Sequence, residues 1–186
     1  MNKNVVQLSK LLSLVLRHQP DVIGIRLDEN GWTPVDQLVT RMRLKVKDFD
    51  LETLGFIVDT NNKKRFAFNN DKTLIRASQG HSVDIELGLK PHVPPAVLYH
   101  GTAISNMPSI LKTGLQKQQR NHVHLSETIE TARVVGSRKG KPSIITIDAA
   151  AMHQQGLAFY LSENHVWLTN EVPATYFLSF DPADNF

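Results

Sequence analysis

The chain has 186 residues, 41% of them hydrophobic and 21% charged, which suits a globular protein with one core or two small ones. It contains no cysteine, so disulfides and thiolate metal sites are excluded; no apolar run approaches the ~18 residues of a membrane span, and the polar opening MNKNVVQLSK is not a secretory signal, so a cytoplasmic protein is expected. Residues 1–95 carry 14 Lys+Arg against 11 Asp+Glu and residues 96–186 carry 7 of each, so the whole formal +3 lies in the first half, where it suits a nucleic-acid partner held by a few contacts.

Val5, Leu8, Leu11, Leu12, Val15 and Leu16 recur at helical spacing and predict an amphipathic helix over about 5–17. It ends in Arg17-His18, just before Pro20. Arginine offers a planar fork of donors that matches phosphate, and histidine a proton that moves near neutral pH. Placed together at a helix end they suit a bound anion, although cations there also complement the helix dipole. In Gly31-Trp32-Thr33-Pro34, Thr33 reads as an N-cap, Pro34 as the first helical residue and Asp36 as the end of a capping box, with Leu38, Val39 and Met42 on the apolar face. A third helix is expected from about Asp48 to Leu54, stopped by Gly55. In FIVDTNNKKRFAFNN, two β-prone stretches flank Asn61-Asn62 and predict a hairpin with Lys63, Lys64 and Arg65 near its tip. Three helices followed by a basic hairpin form a winged-helix-like order, common among nucleic-acid binders.

Pro91, Pro94 and Pro95 mark a stiff boundary, dividing the chain into lobes 1–92 and 93–186. Val97-Leu98-Tyr99 reads as a strand that runs into His100-Gly101-Thr102, where glycine lets a ligand approach the backbone and the flanking side chains can donate to ribose or phosphate oxygens. A helix over Asn106 to Lys112 is stopped by Gly114, and strands and helices then alternate: HVHLS, ETIETARVVGSR with Ser126 as N-cap, SIITID, LAFYL, HVWLT and ATYFLSF. This order predicts a mixed β-sheet lobe and an α+β protein overall. His122 and His124 are spaced like a metal pair on a strand, but no third ligand has suitable spacing, so no metal is expected. The basic turn Gly136-Ser137-Arg138-Lys139-Gly140-Lys141 is either a solvated loop or a phosphate contact.

Read together, LSKLLSLVLRHQP, GWTPVDQL, KKRFAF, IRASQGHSV, LYHGT, RNHVHLS, VGSRKGKP and VWLTNEVP occur in the order found in NAD-dependent RNA 2′-phosphotransferases of the KptA type, which the chain resembles along nearly its whole length. Enzymes of this type remove the 2′-phosphate left at a splice junction in tRNA. The resemblance implies an N-terminal winged-helix RNA-binding lobe and a C-terminal lobe of ADP-ribosyltransferase type. It implies an Arg-His-Arg-Arg catalytic set, here Arg17, His18, Arg65 and Arg120, holding the RNA 2′-phosphate with residues from both lobes. It implies binding of NAD, consumed as a co-substrate, at His100, Gly101 and Thr102, with Ser126 and Arg138 as further members. Arg76, Gln79, His81 and Ser82 match another stretch of the family and are expected to line or brace the site.

The implied chemistry has two steps. The RNA 2′-phosphate attacks C1″ of the nicotinamide ribose and nicotinamide leaves; the ribose 2″-hydroxyl then attacks phosphorus, releasing 2′-hydroxyl RNA and ADP-ribose 1″,2″-cyclic phosphate. Many ADP-ribosyltransferases carry a late glutamate that steers the nicotinamide ribose; the matching position here is Val166. An already ionised phosphate nucleophile makes that carboxylate dispensable, and a glutamate at this position is expected to hinder turnover. Two other classes fit parts of the chain: a non-enzymatic winged-helix binder with a nucleotide-sensing lobe, and an ADP-ribosyltransferase acting on proteins or nucleic-acid ends without the second step. A monomer is the simplest assembly.

Overall fold

The computed structural model describes residues 3–182. The chain divides into two compact units, Met1–Gly88 and Leu89–Phe186. Division falls ahead of the prolines because Pro91 bridges to Tyr160 and the His92 N–H donates to the Phe159 carbonyl, both inside the second unit.

In the first unit, helix α1 (Lys3–Arg17) buries Leu8, Leu12, Val15 and Leu16 on one stripe, as their spacing demands. Leu12, Val15 and Leu16 are fully enclosed, so truncating one of these leucines to alanine costs about 2–5 kcal/mol. The His18 and Gln19 N–H groups close the helix on the Leu14 carbonyl, and Pro20, which has no N–H and restricts Gln19, stops it there.

Thr33 departs from its expected role. With Pro34 it forms strand β1 (Thr33–Pro34), and helix α2 (Val35–Arg43) starts after Pro34 without a side-chain cap. Thr33 pairs with Ile75 and is fully buried, so strand pairing wins over capping. Helix α3 (Leu51–Asp59) starts later and runs longer than expected: Asp50 caps it by accepting from the Thr53 N–H, and Gly55 sits in its interior. Burial of Leu54 and Ile57 carries the helix through the glycine, whose intrinsic cost is only about 1 kcal/mol.

The expected hairpin is displaced for the same reason. Its first arm belongs to α3, and the true hairpin joins β2 (Phe66–Phe68) to β3 (Leu74–Ala77), turning at Asn69–Thr73, where Asp71 Oδ1 accepts from the Thr73 N–H and Asn69 Oδ1 from the Leu74 N–H. Lys63 to Arg65 therefore precede the hairpin instead of crowning it. The sheet order is β1-β3-β2, and α1, α2, α3, β2 and β3 enclose one core.

In the second unit, β4 (Val97–Ala103) is longer than expected and includes His100-Gly101-Thr102. It is followed by α4 (Met107–Thr113), ended by Gly114 at φ 72°, and by β5 (Leu115–Gln116), β6 (Val123–Leu125) and α5 (Ile129–Gly136). Then come β7 (Pro142–Asp148), α6 (Ala149–Gln154), β8 (Phe159–Leu161), β9 (Trp167–Thr169), β10 (Glu171–Val172) and β11 (Phe177–Pro182). Three antiparallel sheets result, ordered β11-β7-β4, β6-β9-β8 and β10-β5. Paired residues share a face. Gly101 and Ile144 therefore lie on one side of the β4–β7 pair, and His100, Ile145, Leu98 and Ile147 on the other. Helix α5 packs on these two strands, while Leu98, Ile145 and Ile147 join Leu125, Phe159 and Trp167 in the core. Short helices with small antiparallel sheets make this an α+β protein.

Candidate functional site

The first unit gathers three of the expected residues. Arg17 and His18 end α1, and Arg65 precedes β2; all three are half-buried. The Arg17 guanidinium donates to the Arg65 carbonyl at 3.3 Å. Arg65 donates to Asn61 Oδ1 at 3.4 Å, and the Asn61 amide donates in turn to Ser9 Oγ of α1 at 3.2 Å. Asn61 is only 6% exposed, so it acts as an internal clamp that fixes Arg65 against the helix. Sequence reasoning placed it in a hairpin turn and missed this role, because its partners lie 52 positions upstream at Ser9 and 4 downstream at Arg65.

His18 Nδ1 lies 2.9 Å from Ser82 Oγ. The Ser82 N–H also donates to the Arg17 carbonyl, so Ser82 contacts both members of the dipeptide. Arg76 lies over the Trp32 ring, 4.4 Å from its centroid, and donates to the Leu87 carbonyl. Gln79 is half-buried. His81 is 1% exposed, and neither ring nitrogen has a hydrogen-bond partner among the described residues. Burial first, then the charges of Arg17, His18 and Arg76, push its pKa down to about 3.

Arg17, His18 and Arg65 face a cavity of about 480 Å³ lined also by Val6, Ser9, Lys10, Ser13 and Leu14. None of these lining residues is acidic. Two guanidinium groups and a histidine thus line one end of the cavity, and donors of this kind match the oxygens of an anion.

The second unit brings together the other expected residues. His100 Nδ1 lies 3.0 Å from the His124 carbonyl, an oxygen that only accepts, so Nδ1 carries the proton. Burial pushes the His100 pKa down against that hydrogen bond, and the nearby Arg120 charge adds to the effect. The ring is therefore held neutral, with its proton on Nδ1 and Nε2 as an acceptor.

Thr102 Oγ1 accepts from Asn106 at 3.0 Å and keeps its own proton to donate. Arg120 and Arg138 are exposed, Arg138 on the 3₁₀ turn Ser137–Lys139. Partial burial and the Arg138 charge both lower the Arg120 pKa, which places the two cations within electrostatic reach. His100 and Arg138 are thus both within electrostatic reach of Arg120.

Three expectations about this lobe are corrected. The close approach at Gly101 is made by the protein itself: a Cβ there would overlap the Ala132 carbonyl of α5, and one on Gly136 would lie 2.9 Å from the Thr102 carbonyl. Ser126 is not the N-cap of α5; Thr128 is, accepting from the Thr131 N–H, while Ser126 exchanges two 2.8 Å backbone hydrogen bonds with Tyr99. His122 does not share the strand of His124 but packs edge-on against Tyr160. Val166 leaves a tight turn in which its N–H donates to Ser162 Oγ.

Fold and site define an α+β protein whose first unit holds two arginines and a histidine together at one cavity. The family described as RNA 2'-phosphotransferase, Tpt1 / KptA family, matches residues 3–171. A probable RNA 2'-phosphotransferase of Flavobacterium johnsoniae is 54% identical over 177 residues, covering 95% of this chain and 97% of that protein. Proteins of the same name from Rhodopirellula baltica and Fusobacterium nucleatum are 53% and 50% identical, covering 94% and 93% of this chain and 96% and 97% of theirs. The chain belongs to the RNA 2'-phosphotransferase, Tpt1 / KptA family. No helix among the described residues is long and apolar enough to cross a membrane.

Proposed function

We propose that this protein removes an internal 2′-phosphate from RNA by transferring it to NAD, which is consumed. The observation that carries this reading is the Arg17–His18–Arg65 cluster, built by three segments around a cavity whose lining has no carboxylate. We read the first unit as a winged-helix lobe, supported by its order of three helices and a hairpin. The second unit is read as an ADP-ribosyltransferase-like lobe, supported by the family membership.

Arg17, Arg65 and Arg120 bind the 2′-phosphate and stabilise the charge that its transfer redistributes; guanidinium groups do this without titrating. His18, oriented through Ser82, moves the proton from the attacking ribose 2″-hydroxyl to the departing RNA 2′-oxygen. His100, Thr102, Ser126 and Arg138 hold NAD, with the neutral His100 ring accepting from a ribose hydroxyl and Arg138 facing the pyrophosphate, while Gly101 lets α5 pack against the strand that carries His100 and Thr102. NAD supplies an electrophilic ribose carbon with nicotinamide as leaving group.

Incubation with NAD and a 2′-phosphorylated oligoribonucleotide tests the reading. The expected products are nicotinamide, 2′-hydroxyl RNA and ADP-ribose 1″,2″-cyclic phosphate. The Arg120→Ala variant is expected to lose turnover or to stall with ADP-ribose on the RNA 2′-phosphate. Nicotinamide release without dephosphorylated RNA from the unaltered protein would instead identify an ADP-ribosyltransferase, and RNA binding without NAD consumption a non-enzymatic binder.

A further inference from the structure

The cavity beside Arg17 is larger than one phosphate needs. Its volume of about 480 Å³ lies within the ~300–1,000 Å³ of small-ligand pockets, and a phosphate group held by Arg17, His18 and Arg65 would leave most of it unfilled. The remainder runs back along α1. Lys10, Ser13, Leu14 and Arg17 recur at intervals of three and four residues and so share one helix face. Lys10 and Arg17 are two turns apart, about 10 Å along the axis. Val6 and Leu14 give this stretch apolar contact, and Lys10 provides an exposed cation at its far end. The wall is built in advance. Ser13 donates to the Ser9 carbonyl at 2.8 Å, and Ser9, 6% exposed, is fastened to Asn61.

We propose that this groove binds the nucleotide adjoining the 2′-phosphorylated one, with Lys10 on its phosphodiester and Val6 and Leu14 against its sugar and base. The occupant is single-stranded RNA because the groove is continuous with the phosphate cluster, its charge is positive and its floor is apolar. Contacts of this kind position a strand without reading its bases, so binding is expected to tolerate any base there. The inference rests on the proposed RNA 2′-phosphate activity but is tested by binding.

Competition binding compares a 2′-phosphorylated mononucleotide with 2′-phosphorylated dinucleotides that extend on the 5′ or the 3′ side. The unaltered protein should bind one of the dinucleotides about two- to fivefold more tightly than the mononucleotide, the range that one exposed ionic contact supplies. Lys10→Ala should lower that ratio by about half or more and reduce the salt slope of dinucleotide binding by about 0.7, whereas Lys10→Arg should preserve the ratio. Ser13→Leu, which fills the groove without changing charge, should also reduce it. Equal affinity for the mononucleotide and both dinucleotides, or a ratio unchanged in both Lys10→Ala and Ser13→Leu, overturns the inference. Failure of phosphate transfer by the unaltered protein, with the binding ratios as expected, would instead count against the proposed activity.

Discussion

His18 Nδ1 and Ser82 Oγ lie 2.9 Å apart, although the two residues are 64 positions apart in the chain. Ser82 also holds the Arg17 carbonyl through its N–H, so one exposed serine orients an arginine and a histidine together. A hydrogen bond at Nδ1 fixes the orientation of the imidazole ring, and with it the direction in which the ring can pass a proton. Ser82→Ala should therefore lower kcat about tenfold, change the pH profile of kcat, leave KM largely unchanged and barely affect unfolding. Ser82→Thr keeps the hydroxyl and should restore both kcat and profile. A kcat that is normal in Ser82→Ala would remove the serine from the mechanism.

Asn61 satisfies two segments at once, donating to Ser9 and accepting from Arg65 and the Lys63 N–H. Truncation removes all three hydrogen bonds at a buried position. Asn61→Ala should cost about 1–3 kcal/mol in denaturant unfolding and raise KM for the phosphorylated RNA, because Arg65 is no longer fixed. Stability lost with KM unchanged would show that Arg65 needs no clamp.

Gly55 and Gly101 should respond to alanine with opposite signs. Gly55 lies inside α3, and a Cβ there meets no atom within 4 Å, so Gly55→Ala should stabilise by about 0.5–1 kcal/mol. Gly101→Ala must push α5 off β4, at a cost of several kcal/mol characteristic of severe overpacking. Thermal unfolding of the two variants checks both signs.

His81 predicts an acid limit to stability. In the unfolded chain it takes up a proton near pH 6.5, whereas in the folded state it resists protonation down to about pH 3. Between these values the unfolded state binds more protons, so stability falls as pH drops, by about 1.4 kcal/mol per unit from this one residue. His81→Leu removes the titrating ring and should flatten this limb in urea unfolding measured from pH 7 to 4. An unaltered slope would assign the acid sensitivity to other groups.

Much of the framework was legible because it is written in local periodicity. Helix α1 follows from the spacing of Leu8, Leu12, Val15 and Leu16 and from Pro20, and the end of α4 from Gly114. The errors share one cause. Thr33, Gly55 and Asn61-Asn62 carry strong local signals for cap, stop and turn, and each was overridden by burial or by pairing with a distant segment: Thr33 by β3, Gly55 by the apolar face of α3, Asn61 by Ser9 and Arg65. Gly101 was recognised as a close approach, but only the position of Ala132 shows what approaches.

By itself the sequence determined the α+β class, the first helix with its terminal Arg17-His18, and the family, because helical spacing and ordered motifs are properties of the chain in one dimension. Tertiary structure decided which groups hold those two residues in place. Ser82 reaches His18 and the Arg17 carbonyl, and Asn61 ties Arg65 to Ser9, through contacts whose partners are far apart in sequence. Side-chain type alone cannot specify such contacts, since they exist only once burial of the core has brought the segments together.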